Sequence, residues 1–163
     1  LTFRGVKCAF ELWIWDSLIP LKHRVLLWLV FWGRPNIKHN MVRKSWLVVA
    51  PNVDGDICPA TKSIDHLVLR CRTTNAIWNE LLLTPLACIS IDIMYFVEHA
   101  FHQHAFKRKW NITFVACAIA RWHAQNDRVF NSKYWTESYI RFYAVDMIRL
   151  WNRARKQQDK NDA

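Results

Sequence analysis

A cluster of two cysteines and one histidine is the sequence feature that most restricts the fold of this chain. Seven residues separate Cys58 from His66, and four separate His66 from Cys71. Thiolates and imidazoles at such spacings are the ligands of a tetrahedral zinc ion. A fourth ligand is expected three positions before Cys58, to complete a Cys-x-x-Cys knuckle, but that position is Gly55, which has no side chain. The sequence therefore predicts a zinc knuckle that lacks one ligand.

The composition indicates a helical protein with a packed core. Hydrophobic residues make up 52% of the 163 residues, and aromatic residues make up 14%. This content is sufficient for a core and argues against disorder. Because the chain has only three glycines and five prolines, tight turns are few, which favours helices joined by short loops. We expect an all-α, helix-rich, bundle-like fold with an irregular knuckle, in one domain or two loosely packed lobes.

The chain carries a formal charge of +10, from 23 basic and 13 acidic residues. Such an excess attracts polyanions, nucleic acid first and anionic membrane second, although a soluble basic fragment without such a partner would carry the same charge. No apolar run approaches the ~18 residues of a membrane span, so we expect no membrane insertion. Five cysteines without a paired pattern, and an N-terminus without signal-peptide features, favour a reducing compartment over secretion.

Apolar residues recur at helical spacing along most of the chain. Ile19-Pro20 separates the first two helices, because the residue before a proline is disfavoured in the α region. Asn126-Asp127 and Asn131-Ser132 are typical of turns, and Thr73 or Thr74 can cap a helix. The predicted helices cover residues 6–17, 21–32, 37–47, 73–83, 91–101 and 108–127, and a last helix starts near Trp135 and frays after Lys156.

The last predicted helix has an apolar face and a basic face. Its apolar face is predicted to consist of Tyr139, Tyr143, Met147 and Trp151. The basic stripe, on another face, consists of Arg141, Arg149, Arg153 and Lys156. These side chains can contact phosphates, or they can be an ordinary solvated face, and we predict them as a nucleic-acid-binding surface. Tryptophans can stack on unpaired bases, but helical spacing assigns five of them to the core: Trp13, Trp28, Trp78, Trp110 and Trp122.

Two motifs, far apart and in a fixed order, carry a family resemblance. The first comprises Trp15, Ile19-Pro20, Lys22, Trp28 and Arg34, then Ile64-Asp65-His66-Leu67-Val68-Leu69-Arg70-Cys71, then Ala76-Ile77-Trp78. The second is Ala120-Arg121-Trp122-His123-Ala124-Gln125-Asn126-Asp127-Arg128-Val129-Phe130-Asn131. Over most of its length, the chain resembles the zinc-binding domain that follows the reverse transcriptase in plant LINE-type (non-LTR) retrotransposons.

The resemblance implies a reverse-transcriptase zinc-binding domain over residues 1–84. It implies that residues 85–163 form a helical lobe or linker ahead of a missing ribonuclease H-like domain. It also implies that the domain helps the element's protein to engage nucleic acid. Gly55 stands where the family has its first zinc cysteine, and Gln125 stands where an arginine is usual. Both departures indicate a degenerate copy, in which zinc binding through Cys58, His66 and Cys71 is weak or lost.

The sequence leaves other functions open. Three protein ligands plus water is the layout of a catalytic zinc site, but no general base is marked in the sequence. His99 and His102 are spaced to share a metal, although no third ligand is indicated beside them. Because phosphate-binding loops and nucleophile motifs are absent, we expect no enzyme activity and no small-molecule substrate. The alternatives are a structural remnant without function and a helical protein-interaction module, and the oligomeric state is open.

Overall fold

The computed structural model describes residues 14–15, 19–32, 65–82 and 107–161. They form helix α1 (Leu21–Phe31), a π-helical turn (His66–Arg70) and helices α2 (Arg72–Leu82), α3 (Lys107–Asn131) and α4 (Glu137–Asn161). No strand occurs within these ranges, and the predicted all-α fold is confirmed. The helices predicted over 37–47 and 91–101, with His99 and His102, lie outside the described residues, as does the predicted boundary after residue 84.

The first two helices begin close to where the sequence predicts. Helix α1 starts directly after Pro20, whose carbonyl oxygen accepts hydrogen bonds from the N–H groups of His23 and Arg24 at 2.9 and 3.2 Å. Helix α2 starts at Arg72, before the threonines that were predicted to cap it. That capping prediction is wrong, because Thr73 and Thr74 are buried in the first turn of the helix. Their position brings this turn into the core instead of leaving it at a solvent-exposed helix end.

Helix α3 is the centre of the fold. Every residue from Ile112 to Arg121 is buried, so this part of the helix is enclosed on all sides. It contacts α1, the π-helical turn, α2 and α4. A single hydrophobic cluster joins residues of all these elements, including Leu27, Val68, Ile77, Phe114 and Ile140. No helix in the described part of the chain is long and apolar enough to cross a membrane.

The turn between α3 and α4 lies at the second of the two positions that the sequence predicts, Asn131-Ser132. Asn126-Asp127 was predicted as a turn, but α3 continues to Asn131. The turn follows at Ser132, which has a positive φ of 52°, and the Lys133 N–H closes it by donating to the Asp127 carbonyl oxygen at 3.1 Å. Thr136 then caps α4, since its hydroxyl oxygen accepts a hydrogen bond from the Tyr139 N–H at 3.2 Å.

The buried face of α4 differs from the predicted one in its first half. Met147 and Trp151 are buried as predicted, but Tyr139 is exposed and Tyr143 is half-buried. The positions that pack into the core are one residue further along, at Ile140 and Ala144, both with no exposed surface. The prediction that the chain frays after Lys156 is also wrong, because α4 remains helical to Asn161.

Candidate metal centre and basic helix face

The π-helical turn brings two of the predicted zinc ligands together in one local element. His66 is its first residue, and Cys71 follows its last, so that the Cys71 N–H donates to the His66 carbonyl oxygen at 2.8 Å. Leu67, Val68 and Leu69 are buried and fix the turn against the core. The wide turn therefore places His66 and Cys71 at the two ends of a single hydrogen-bonded loop. π-helical turns of this kind are frequent at functional sites.

Cys71 lies in surroundings that stabilise a thiolate. Its side chain has no exposed surface. Burial raises the pKa of the thiol, but the charge of Arg121 and the backbone N–H groups of Thr73 and Thr74 outweigh this effect, and the net pKa lies below its ordinary value. The single hydroxyl proton of Thr74 is donated to the Leu67 carbonyl oxygen at 2.9 Å, so the two threonines donate to the sulfur through their backbone groups. A thiolate is the form of cysteine that binds metals.

Arg121 is the functional residue that the sequence did not single out. It lies in the middle of α3, is buried, and donates from Nη2 to the Cys71 Sγ at 3.3 Å. The two residues are 50 positions apart in the chain. The sequence marks Arg121 only by its position, as a cationic residue directly after the apolar run from Ile112 to Ala120. Its guanidinium is a positive counter-charge to the Cys71 sulfur that is present without a metal ion.

The remaining positions of the predicted knuckle, Cys58 and Gly55, lie outside the described residues. Within the described ranges, no group of three or more His, Cys, Asp or Glu side chains could hold a metal ion. His66 and Cys71 fit zinc by donor type, and the shift of the Cys71 pKa below its ordinary value favours a zinc thiolate. A site with three protein ligands therefore depends on Cys58.

The basic stripe lies on α4 and divides into two parts. Arg141 is engaged, because its Nη1 donates to both carboxylate oxygens of Glu80 at 2.6 Å and links α4 to α2. Arg149, Arg153 and Lys156 are exposed and form no ion pair with another described residue. Their spacing of four and three residues places them on one face of the helix. Three of the four side chains are thus exposed and have no partner in the described part of the chain, as contact with phosphates would require.

A comparison with known families bears on the segment that contains His66 and Cys71. Residues 1–78 match the family described as zinc-binding in reverse transcriptase. No curated protein and no solved structure matches the chain. The match extends through α1 and the π-helical turn and ends within α2, so it includes Gly55 and Cys58 as well as His66 and Cys71.

The match to this zinc-binding family supports the coarser part of the predicted resemblance. It covers all three predicted zinc ligands, Cys58, His66 and Cys71. Arg121 and the basic stripe lie beyond residue 78, outside the matched segment. The thiolate-stabilising contact between Arg121 and Cys71 therefore joins the matched segment to a helix that the family match does not cover.

Proposed function

We propose that this chain is a non-enzymatic, retrotransposon-derived reverse-transcriptase zinc-binding domain with a degenerate zinc site and weak, sequence-independent affinity for nucleic acid. The match over residues 1–78 supports the zinc-binding ancestry. The motifs at residues 64–71 and 120–131 support the finer assignment to the LINE-type elements of plants. Arg149, Arg153 and Lys156 are exposed and form no ion pair within the described residues, and this observation carries the proposal of nucleic-acid binding.

The proposed zinc site uses Cys58, His66 and Cys71, with Gly55 in the place of the first ligand. Structural zinc sites take four protein ligands, and bound zinc adds directly to the free energy of folding. A site that has lost one thiolate holds the ion less tightly. The positive charge of Arg121 compensates a thiolate at Cys71, so the fold around Cys71 does not require a bound metal ion. Weak or absent zinc is therefore compatible with a folded domain.

Nucleic-acid binding through this surface depends on charge and not on base sequence. Lysine and arginine side chains release condensed counterions when they neutralise phosphates, which provides affinity for any sequence. The net charge of +10 adds a long-range attraction of the same sign. No acidic residue is paired with Arg149, Arg153 or Lys156 within the described ranges, so their charges are available to a polyanion.

The zinc proposal is tested by restoring the missing ligand. The Gly55→Cys variant should bind zinc at least about tenfold more tightly than the unchanged chain, because it supplies a fourth ligand. Its melting temperature should also rise when zinc is added, since metal bound only by the folded state stabilises that state. Competition with a chromophoric chelator measures the affinity, and thermal unfolding with and without zinc measures the stabilisation.

The matched control is Gly55→Ser, which adds a side chain of similar size without a thiolate. It should leave both zinc affinity and the zinc-dependent melting temperature unchanged. Equal effects of serine and cysteine would show that the change acts through the backbone at position 55. A Gly55→Cys variant with unaltered zinc affinity would contradict the assignment of position 55 to the metal site.

The nucleic-acid proposal predicts a strong dependence of binding on salt. Affinity for an oligonucleotide should fall linearly on a plot of log K against log salt concentration, and Arg149→Gln should reduce the slope by about 1. Fluorescence anisotropy of a labelled oligonucleotide, over a series of salt concentrations, measures both quantities. Unrelated oligonucleotide sequences should give the same affinity, because phosphate contacts do not distinguish bases.

The control for this test is Arg155→Gln. Arg155 is also on α4, but its Nε lies 3.5 Å from Oδ2 of Asp159, so its charge is already paired. The slope should change less for Arg155→Gln than for Arg149→Gln, although both variants lose one positive charge. Identical slopes for the two variants would contradict a localised surface and leave only the effect of net charge. Binding that does not respond to salt would contradict the proposal as a whole.

A further inference from the structure

Aromatic side chains are exposed where α4 begins. Tyr139 is 48% exposed and Phe142 is 61% exposed, although both rings are large and apolar. We name Tyr139 and Phe142 the aromatic platform. They are three residues apart on a helix and therefore lie beside each other on its surface. The tryptophans in contact with the core, among them Trp28 and Trp110, are by contrast packed against buried residues.

One ring of the aromatic platform is held in a fixed orientation. The Trp135 ring lies 4.7 Å from the Tyr139 ring, edge to face, and 5.0 Å from the Tyr143 ring. Trp135 is itself anchored, because its Nε1 donates to Oδ2 of Asp127 at 2.8 Å. The same aspartate accepts a hydrogen bond from Nδ2 of Asn131 at 2.8 Å. Tyr139 thus presents an exposed ring whose position is set by its neighbours, which lowers the entropy lost when a ligand stacks on it.

The aromatic platform and the exposed part of the basic stripe share one side of α4. Phe142 and Arg149 are seven residues apart, and Arg153 and Lys156 follow after four and three more. Such spacing returns to the same face of a helix. The helix rises 1.5 Å per residue, so the distance from Tyr139 to Lys156 is about 25 Å. Glu137 precedes the aromatic platform and Asp146 lies between it and Arg149, whereas Asp159 is paired with Arg155, so positive charge predominates from Arg149 onward.

We propose that this face of α4 binds single-stranded nucleic acid, with unpaired bases stacked on Tyr139 and Phe142 and phosphates running along Arg149, Arg153 and Lys156. The inference rests on the proposed function and specifies its ligand. Proteins that bind single strands combine a positively charged track for the backbone with aromatic rings for the bases. In a duplex the base faces are already stacked on each other, so exposed rings add nothing to duplex binding.

The test compares a single strand and a duplex as ligands of the full chain. The probes are a labelled oligothymidine about 15 nucleotides long and a duplex of the same length, since single-strand sites span about 4–16 nucleotides. The variant carries Tyr139→Ala and Phe142→Ala together. It should bind the single strand at least about 30-fold more weakly at low salt, because two stacked bases each contribute to the affinity. Its affinity for the duplex should be unchanged.

Two controls separate stacking from other causes. The variant with Tyr139→Phe and Phe142→Tyr keeps both rings and should retain single-strand affinity. The Arg149→Gln variant should weaken binding of both probes, because phosphates are common to both. Circular dichroism and thermal unfolding verify that each variant is folded. Sedimentation velocity reports whether the aromatic platform instead joins two copies of the chain.

The outcomes distinguish this inference from the proposed function on which it rests. Selective loss of single-strand binding in the alanine variant supports the inference. The inference is overturned if the unchanged chain binds both probes with equal affinity and the alanine variant binds them equally well. That result leaves the proposed function standing. Absence of binding to either probe at low salt overturns both. A dimer that becomes a monomer in the alanine variant would identify the aromatic platform as a self-association surface and overturn the inference.

Discussion

Replacing Phe114 with alanine should lower the free energy of unfolding by about 3–5 kcal/mol, the usual cost of truncating a large buried aromatic side chain. Phe114 has no exposed surface and lies in the continuously buried part of α3. The Trp110 ring stacks on it with centroids 5.1 Å apart and planes 8° from parallel. Its removal would leave a cavity at the point where α3 contacts the other helices. Urea-induced unfolding followed by circular dichroism measures the loss.

Phe142→Ala provides a matched control for this prediction. The chemical change is identical, but the ring is 61% exposed on α4. Substitutions at exposed positions usually change stability by no more than about 0.5 kcal/mol. The two variants should therefore differ by several kcal/mol in the free energy of unfolding. Similar losses for Phe114→Ala and Phe142→Ala would contradict the position of α3 at the centre of the core.

Acidification from about pH 7 to about pH 4.5 should lower the free energy of unfolding by about 2–3 kcal/mol through His23 alone. His23 is buried in α1, with its ring 5.3 Å from that of Trp151 on α4. Its Nδ1 is buried and has no hydrogen-bond partner among the described residues. Burial, reinforced by the charges of Lys22 and His123, lowers the pKa of His23 from 6.5 to about 4.

The direction of the pH effect follows from which state binds the proton first. Between about pH 6.5 and about pH 4, His23 is protonated in the unfolded chain but stays neutral in the folded one. The unfolded state therefore binds more protons in this window, and stability falls as the pH falls. His123 adds a change of the same sign, because burial lowers its pKa more than Asp127 raises it. The hydrogen bonds of Asp127 lower its pKa from 3.8, so its own contribution is lost only at more acidic pH.

The His23→Gln variant tests this assignment, because glutamine is polar and does not titrate. Urea unfolding of the variant and of the unchanged chain, at about pH 7 and about pH 4.5, gives the pH-dependent difference in stability for each. The variant should lose most of that difference, and His123→Gln should lose a smaller part. A pH dependence that survives intact in His23→Gln would contradict the buried, neutral state of His23.

Local signals in the sequence were sufficient to predict the helices in the described residues. Pro20 marks the start of α1, and apolar spacing predicted α2 and the body of α3. Errors arose where distant contacts override local preference. Asn126-Asp127 resembles a turn, but the Asp127 carboxylate is used by Asn131 and Trp135, and the helix continues to Asn131.

The buried face of α4 and the surroundings of Cys71 were beyond the reach of local patterns. Tyr139 and Ile140 belong to two neighbouring apolar stripes, and only contact with α3 decides that Ile140 enters the core. The counter-charge on the Cys71 sulfur comes from Arg121, 50 residues away, and no spacing rule predicts such a pair. The donor types of His66 and Cys71 could be predicted, whereas the wide turn between them could not. The predicted roles of Cys58 as a zinc ligand and of Gly55 as the position of the missing ligand stay predictions.

The enclosure of α3 has a consequence for how much of the chain must fold together. Family likeness stops at residue 78, yet Leu67, Val68, Leu69 and Ile77 share one apolar cluster with Phe114 on α3. A copy truncated at that border would expose the surface which α3 covers. The matched segment therefore needs α3, or another apolar surface in its place, to keep these side chains out of water. The segment that matches the family is thus shorter than the part of the chain that forms the hydrophobic core.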